Sequence, residues 1–208
     1  MKRLGILFIA LGLFFVTSTF LAASNNAATV LLLDAANDDN LEIVKTAIAA
    51  GANVNAIVEA HGQNKGFAPL HLAAFNDCGS VAEELCKHQD IQVNATVKSC
   101  GKYKGYTALH LASIRGYASV AKALVGHKDI DINGVVTCDG KYKGFMPLHL
   151  AIIKGYRYAV IELLQHKDTA LCATINNDGE YDGFTPLMLA ISRDYLKIAE
   201  ELLKRVKE

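Results

Sequence analysis

The sequence predicts an all-α repeat solenoid with β-hairpin fingers: stacked helix-turn-helix units with a 39-residue period. Three observations predict it. Gly66, Gly105, Gly144 and Gly183 recur at one fixed interval, each followed by an aromatic residue: Phe67, Tyr106, Phe145 and Phe184. Val81, Val120, Ala159 and Ile198 recur at the same interval, as do Leu85, Leu124, Leu163 and Leu202. The prolines Pro69, Pro147 and Pro186 share one repeat position, with Ala108 at the fourth equivalent place. A period of about 20–50 residues marks supersecondary units that cannot bury their apolar faces alone and so stack on their neighbours.

The first element is a targeting segment. Met1-Lys2-Arg3 is a short basic start, and from Leu4 to Val16 every residue is apolar or Gly. Small residues follow at Ala22-Ala23-Ser24. This is the order of a secretory signal peptide, read here as residues 1–24. The rival reading is an uncleaved anchor over Leu4 to Ala23, because about 20 residues can span a bilayer. The strongly apolar part stops at Val16, where Thr17-Ser18-Thr19 dilutes it, and that short run favours cleavage. No Cys follows Ala23, which argues against a lipid-anchored form.

The repeat unit comes next, and residues 144–182 show its parts. Pro147 sits where a missing N–H costs nothing, at the first turn of a helix. The short apolar helix that follows ends near Lys154-Gly155, where glycine can take the left-handed stop. A second helix from Tyr156 to about His166 carries its apolar stripe on Ala159, Val160, Leu163 and Leu164. Between Asp168 and Asp182, β-branched residues around Asp178-Gly179 signal a hairpin turn. The expected units cover about residues 28–56, 66–95, 105–134, 144–173 and 183–208, one repeat domain over 28–208.

The helix-opening segments are Ala68-Pro69-Leu70-His71-Leu72-Ala73, Thr107-Ala108-Leu109-His110-Leu111-Ala112, Met146-Pro147-Leu148-His149-Leu150-Ala151 and Thr185-Pro186-Leu187-Met188-Leu189-Ala190. Together with Gly51-Ala52-Asn53-Val54-Asn55 and its echoes at Val93-Asn94 and Ile132-Asn133, they resemble the ankyrin-repeat family. The resemblance covers nearly all of the chain after the targeting segment and implies the stack derived above. The chain departs from the family in its period, which is longer than the family's usual repeat of about 33 residues. Most of the surplus lies in the connection, as from Asn94 to Gly105, so long fingers are expected. Insertions in a repeat often map to the binding side.

The chain has 208 residues, with 21 Lys+Arg against 21 Asp+Glu. That balance argues against nucleic acid as a partner, since phosphate binding needs a concentrated basic excess. At 51% hydrophobic and 20% charged, with 3 Pro, 5 Cys and no Trp, the chain is neither disordered, collagen-like nor a dense disulfide scaffold. It has no Gly-rich phosphate loop, no HExxH and no GxSxG. Acidic residues scatter without a recurring buried pair, so no enzyme, cofactor or metal is expected.

Candidate site residues follow from the repeat columns. His71, His110 and His149 cannot form a metal ladder. Stacked helices lie about 8–10 Å apart, whereas zinc needs each nitrogen at about 2 Å. The family resemblance implies that this His braces the hairpin at the first helix, a structural role. Arg115, Lys154 and Arg193 recur at the exposed end of the first helix. They read either as a basic stripe for an acidic partner surface or as cations at a helix C-terminus. Tyr103, Tyr142 and Tyr181 recur near the finger tips between charged neighbours. They read either as exposed rings for partner contact or as cross-finger packing. Lys flanks the first two tyrosines and acid flanks the third, a polarised surface that would orient a partner. Cys100 and Cys138 lie on neighbouring fingers, a candidate disulfide in an oxidising compartment, although their spacing falls one short of the repeat and breaks the register. Asn94-Ala95-Thr96 matches a glycosylation acceptor but coincides with the closing Asn of a repeat.

The expectation is a monomeric, non-catalytic module that is periplasmic or secreted and binds another protein through its fingers and concave helix face. Membrane association is expected only if the first segment is retained, which would make the chain an anchored scaffold. The sharper alternative is a periplasmic immunity or inhibitor protein against an envelope-targeted toxin or enzyme.

Overall fold

The computed structural model describes residues 26–59, 62–99 and 101–207; the signal segment expected at residues 1–24 lies outside them. Among the described residues no helix is long and apolar enough to cross a membrane.

Ten helices form five consecutive pairs among the described residues. The first pair is α1 (26–37) with α2 (Leu41–Ala49). Next come α3 (Pro69–Phe75) with α4 (Gly79–Cys86), and α5 (Ala108–Arg115) with α6 (Ala118–Val125). The last are α7 (Pro147–Ile153) with α8 (Arg157–Leu164), and α9 (Pro186–Ser192) with α10 (Leu196–Val206). Helices α3, α7 and α9 each begin on their proline. The residues before these prolines are extended, as the proline ring requires. Helix α5 has no proline, and Thr107 caps it instead, its side chain accepting from His110 N–H at 3.3 Å.

Each pair turns through a residue with positive φ. Gly116 and Gly155 take that conformation in the third and fourth units, at φ +80° and +75°. Asp39, Asp77 and Asp194 occupy it in the others at φ 56° to 62°, because aspartate is one of the few side chains that tolerates it. The first helices stack on one another in the order α3, α5, α7, α9, and the second helices in the order α2, α4, α6, α8, α10. Between the two layers lies one continuous core. Leu72, Leu111, Leu150 and Leu189 from the first layer and Leu85, Leu124, Leu163 and Leu202 from the second are all buried in it. These are the columns that the sequence period picks out.

The β-hairpin fingers are not found as such. No strand forms among the described residues, only an isolated antiparallel bridge between Thr96 and Thr107. Each connection instead closes on one rung. Val97 N–H donates to Tyr106 O and Gly105 N–H to Val97 O, and the pattern recurs for Val58 with Phe67, Val136 with Phe145 and Ile175 with Phe184. Beyond the rung the tip coils into consecutive turns, with Lys104 N–H on Gly101 O and Tyr106 N–H on Tyr103 O. The tip's backbone groups are satisfied within the turns, so no ladder extends outward. We number the fingers one to four by these rungs.

The glycine after each of the first three tips has two causes. Gly66 and Gly105 both sit at φ +79°, in the left-handed region. A Cβ there would also lie 2.7 Å from Ser99 N, or 2.8 Å from Cys138 Sγ, on the next finger. Adjacent units are further tied by Asn55, Asn94 and Asn133. Asn94 donates to Asp129 O at 2.7 Å and accepts from Asp131 N–H at 2.8 Å, and the other two make the equivalent pair of bonds. The Asn94 side chain of the glycosylation-like triplet is therefore committed to its neighbour unit.

Candidate protein-interaction surface

The histidine column lies inside the first helices. Backbone N–H groups of Ala68, Thr107 and Met146 donate to the Nδ1 atoms of His71, His110 and His149 at 3.1 to 3.3 Å. Since Nδ1 accepts, Nε2 carries the proton. It reaches the Ala95 carbonyl at 2.9 Å from His71 and the Ala173 carbonyl at 3.2 Å from His149. In the middle unit Gly134 stands at the corresponding place, and among the described residues His110 Nε2 finds no well-formed partner. Burial lowers all three imidazoles to about 4, so they are neutral braces between helix and finger.

The second histidine column, His88, His127 and His166, closes the outer helices. In each case Nδ1 accepts the backbone N–H two residues on, at 3.2 to 3.3 Å.

The tyrosine column folds inward. Tyr181 is only 9% exposed, and Tyr103 and Tyr142 are half-buried against the core. Tyr103 makes edge contacts with Phe67, Phe75 and Tyr106 at centroid distances of 6.2, 5.4 and 5.7 Å. Tyr142 meets Phe145 at 5.4 Å, and Tyr181 meets Phe145 and Phe184 at 6.2 and 5.7 Å. The contacts of Tyr103 with Phe67 and of Tyr181 with Phe145 cross from one finger to the next. Of the two readings of this column, exposed rings or cross-finger packing, the exposed one depended on extended strands in the fingers. In a coiled tip the ring turns back onto the first helices while its charged neighbours stay in solvent.

The basic column meets the same rings. The Arg115 guanidinium lies 3.6 Å from the centroid of Phe75 in the preceding unit. Lys154 Nζ lies 5.7 Å from the Tyr142 ring. The Arg193 guanidinium lies 5.7 Å from the Tyr181 ring and donates to its hydroxyl at 3.0 Å. None of these three cations forms an ion pair among the described residues. For Lys154 and Arg193 the structure thus joins two columns that the sequence presents separately, cations at the helix ends and tyrosines in the fingers, whereas Arg115 meets the Phe75 ring that Tyr103 packs on.

Charge on the tips changes sign along the stack. Finger two exposes Lys98, Lys102 and Lys104. Finger three exposes Lys141 and Lys143 beside Asp139, which pairs with Lys143 at 2.9 Å. Finger four exposes Asp178, Glu180 and Asp182. Between fingers two and three opens a cleft of about 560 Å³, floored by Tyr103, Tyr106, Ile114 and Tyr142 and rimmed by lysines.

Among the described cysteines, Cys138 lines the cleft. Cys78 is buried, and burial pushes its thiol and that of Cys86 up to about 11. Cys78, Cys86, Cys138 and Cys172 form no disulfide with one another. Cys100, the other half of the expected Cys100–Cys138 pair, lies outside the described residues.

The family model described as ankyrin repeats (3 copies) matches residues 31–136 and 134–208. No curated protein matches the chain.

Proposed function

Because the chain belongs to the ankyrin-repeat family, whose repeats are generally protein–protein interaction modules, we propose that it binds another protein in the bacterial envelope and performs no catalysis. The partner lies along the fingers and the concave face of the first helices, touching Tyr103, Tyr142, Tyr181, Arg115, Lys154 and Arg193. The observation that carries this reading is the order of charge on the tips, from lysine on finger two to acid on finger four. Apart from Lys143 with Asp139, these tip charges make no ion pair among the described residues. Asp182 also closes its own turn by accepting from Asn177 N–H at 3.0 Å, while a complementary partner gives the lysines and the other acids a role. The half-buried Tyr103 and Tyr142 act as a rigid platform, presenting ring edges and hydroxyls beside the cations, and the buried Tyr181 supports it beside Arg193.

The export reading rests on the signal-like order of residues 1–24. On that reading the protein works as a monomer in the periplasm or outside the cell. Cleavage removes about 24 residues, which the intact mass of protein recovered from the envelope fraction reads directly.

The test is affinity capture from the native envelope fraction with the tagged protein and with a Lys154→Gln/Arg193→Gln variant. Circular dichroism verifies that the variant is folded. One protein held by the parent and lost from the variant is the expected result. Capture unaffected by the substitutions moves the site off this face. Capture of nothing from the cell's own envelope, or from a competitor's secreted proteins, overturns the binding reading.

A further inference from the structure

Of all the clefts and patches on the molecule, the one between fingers two and three has the most definite chemistry. Its rim holds Lys102, Lys104, Lys141 and Lys143, and among the described residues only Lys143 pairs with a carboxylate, that of Asp139. Its floor is aromatic and aliphatic. One ring stands out: Tyr142 has two ammonium groups near it, Lys141 and Lys154, each 5.7 Å from its centroid. Lys102 lies 5.3 Å from the Tyr103 ring across the cleft. Cations held over rings, without carboxylates of their own, are placed to receive carboxylates from outside.

Resting on the reading that the fingers are the binding side, we propose that this cleft receives an acidic segment of a protein partner. An aromatic or aliphatic side chain of that segment packs on the floor, and its carboxylates are held by Lys102, Lys104, Lys141 and Lys154. The same segment carries basic residues that reach Asp178, Glu180 and Asp182 on finger four.

The acidic fourth finger decides between a polypeptide and a polyanion. A nucleic acid or polyphosphate filling the cleft would run along the tips into three carboxylates and be repelled. A polypeptide can change sign along its length. From the cleft between fingers two and three to finger four is one to two repeat steps, about 8–20 Å at ordinary helix spacing. An extended chain covers that in about three to six residues. The recognised segment therefore has its acidic and basic clusters about that far apart, in either chain direction.

The test is selection from a phage-displayed library of random dodecapeptides. The bait is the folded protein, beside a Lys102→Glu/Lys141→Glu variant whose exposed substitutions leave the core untouched. A dT12 oligonucleotide serves as a separate probe. The expected outcome is enrichment of sequences with two or more acidic residues next to an aromatic and basic residues about three to six positions away. Enrichment should fall at least tenfold on the variant, and a Glu180→Lys variant should lose the basic half of the consensus. Enriched peptides without acidic residues, equal enrichment on parent and variant, or no enrichment overturn the proposal. So does tighter binding of the oligonucleotide than of any selected peptide. A partner captured from the envelope with no dependence on Lys102 and Lys141 leaves the binding-module reading standing and removes only the cleft.

Discussion

Arg115 of one unit covers Phe75 of the unit before it, its guanidinium carbon 3.6 Å from the ring centroid. The Arg115 Nη1 also donates to the Tyr117 hydroxyl at 3.4 Å. A cation at the end of one first helix thereby shields an aromatic at the end of the previous one. Lys154 on Tyr142 and Arg193 on Tyr181 apply the same chemistry between a helix end and the finger that precedes it. These residues couple neighbouring elements on the side where the fingers lie, so packing and recognition share atoms there.

Arg115→Ala should lower stability by about 1 kcal/mol, the worth of a partly desolvated cation over a ring. Arg115→Lys should recover part of that loss, because the ammonium keeps the charge without the planar stacking. Urea denaturation of the three proteins checks the order. A variant as stable as the parent would show that the ring contact contributes nothing.

Acid should destabilise the fold over a defined window. His71, His110 and His149 sit near 4 when folded, against an ordinary value of about 6.5. The unfolded chain therefore binds more protons between these values. Stability is fully present above about pH 6.5 and is lost as pH falls towards 4, by up to about 1.4 kcal/mol per unit for each histidine. Unfolding free energies measured from pH 7.5 to 4 check this, and His71→Gln should reduce the slope. A flat profile would contradict the buried neutral imidazoles.

Leu124→Ala should cost about 2–5 kcal/mol, because Leu124 is fully buried between the helix layers. Leu203→Ala, on the open face of α10 at 45% exposure, should stay within about 0.5 kcal/mol. Chemical denaturation of both variants compares a stacked position with an unstacked one.

Asn94→Ala removes two bonds that join the second repeat's finger base to the third repeat. Leaving their partners unmatched should cost about 1–3 kcal/mol. Hydrogen exchange should show protection falling in the units on either side of that junction first. Uniform loss across the chain would mean that the asparagine does not hold a local interface.

Tyr181→Ser should destabilise by about 2 kcal/mol, since the ring is buried between Phe145 and Phe184. Tyr181→Phe keeps those ring contacts and loses only the hydroxyl that Arg193 reaches. Partner capture compared between the folded Phe variant and the parent isolates the hydroxyl's part in binding, and thermal melting separates the packing role.

The sequence by itself determined the repeat, the helix pairs and the buried columns. Each depends on spacing that the chain carries openly, such as Leu85, Leu124, Leu163 and Leu202. The prolines at three helix starts and the glycines at the turns encode local backbone geometry, which needs no distant partner to be read. The charge order of the finger tips was equally legible, because exposed side chains are not rearranged by packing. Only the tertiary structure decided what the fingers are. One rung and a coiled tip replace a ladder, because the turns satisfy their own backbone and the next finger approaches too closely at Gly66 and Gly105 for a side chain. The inward turn of Tyr103, Tyr142 and Tyr181 follows from that. So does the meeting of Tyr142 with Lys154 and of Tyr181 with Arg193, each cation at the far end of the helix that follows its finger, a relation that folding creates and no local pattern announces.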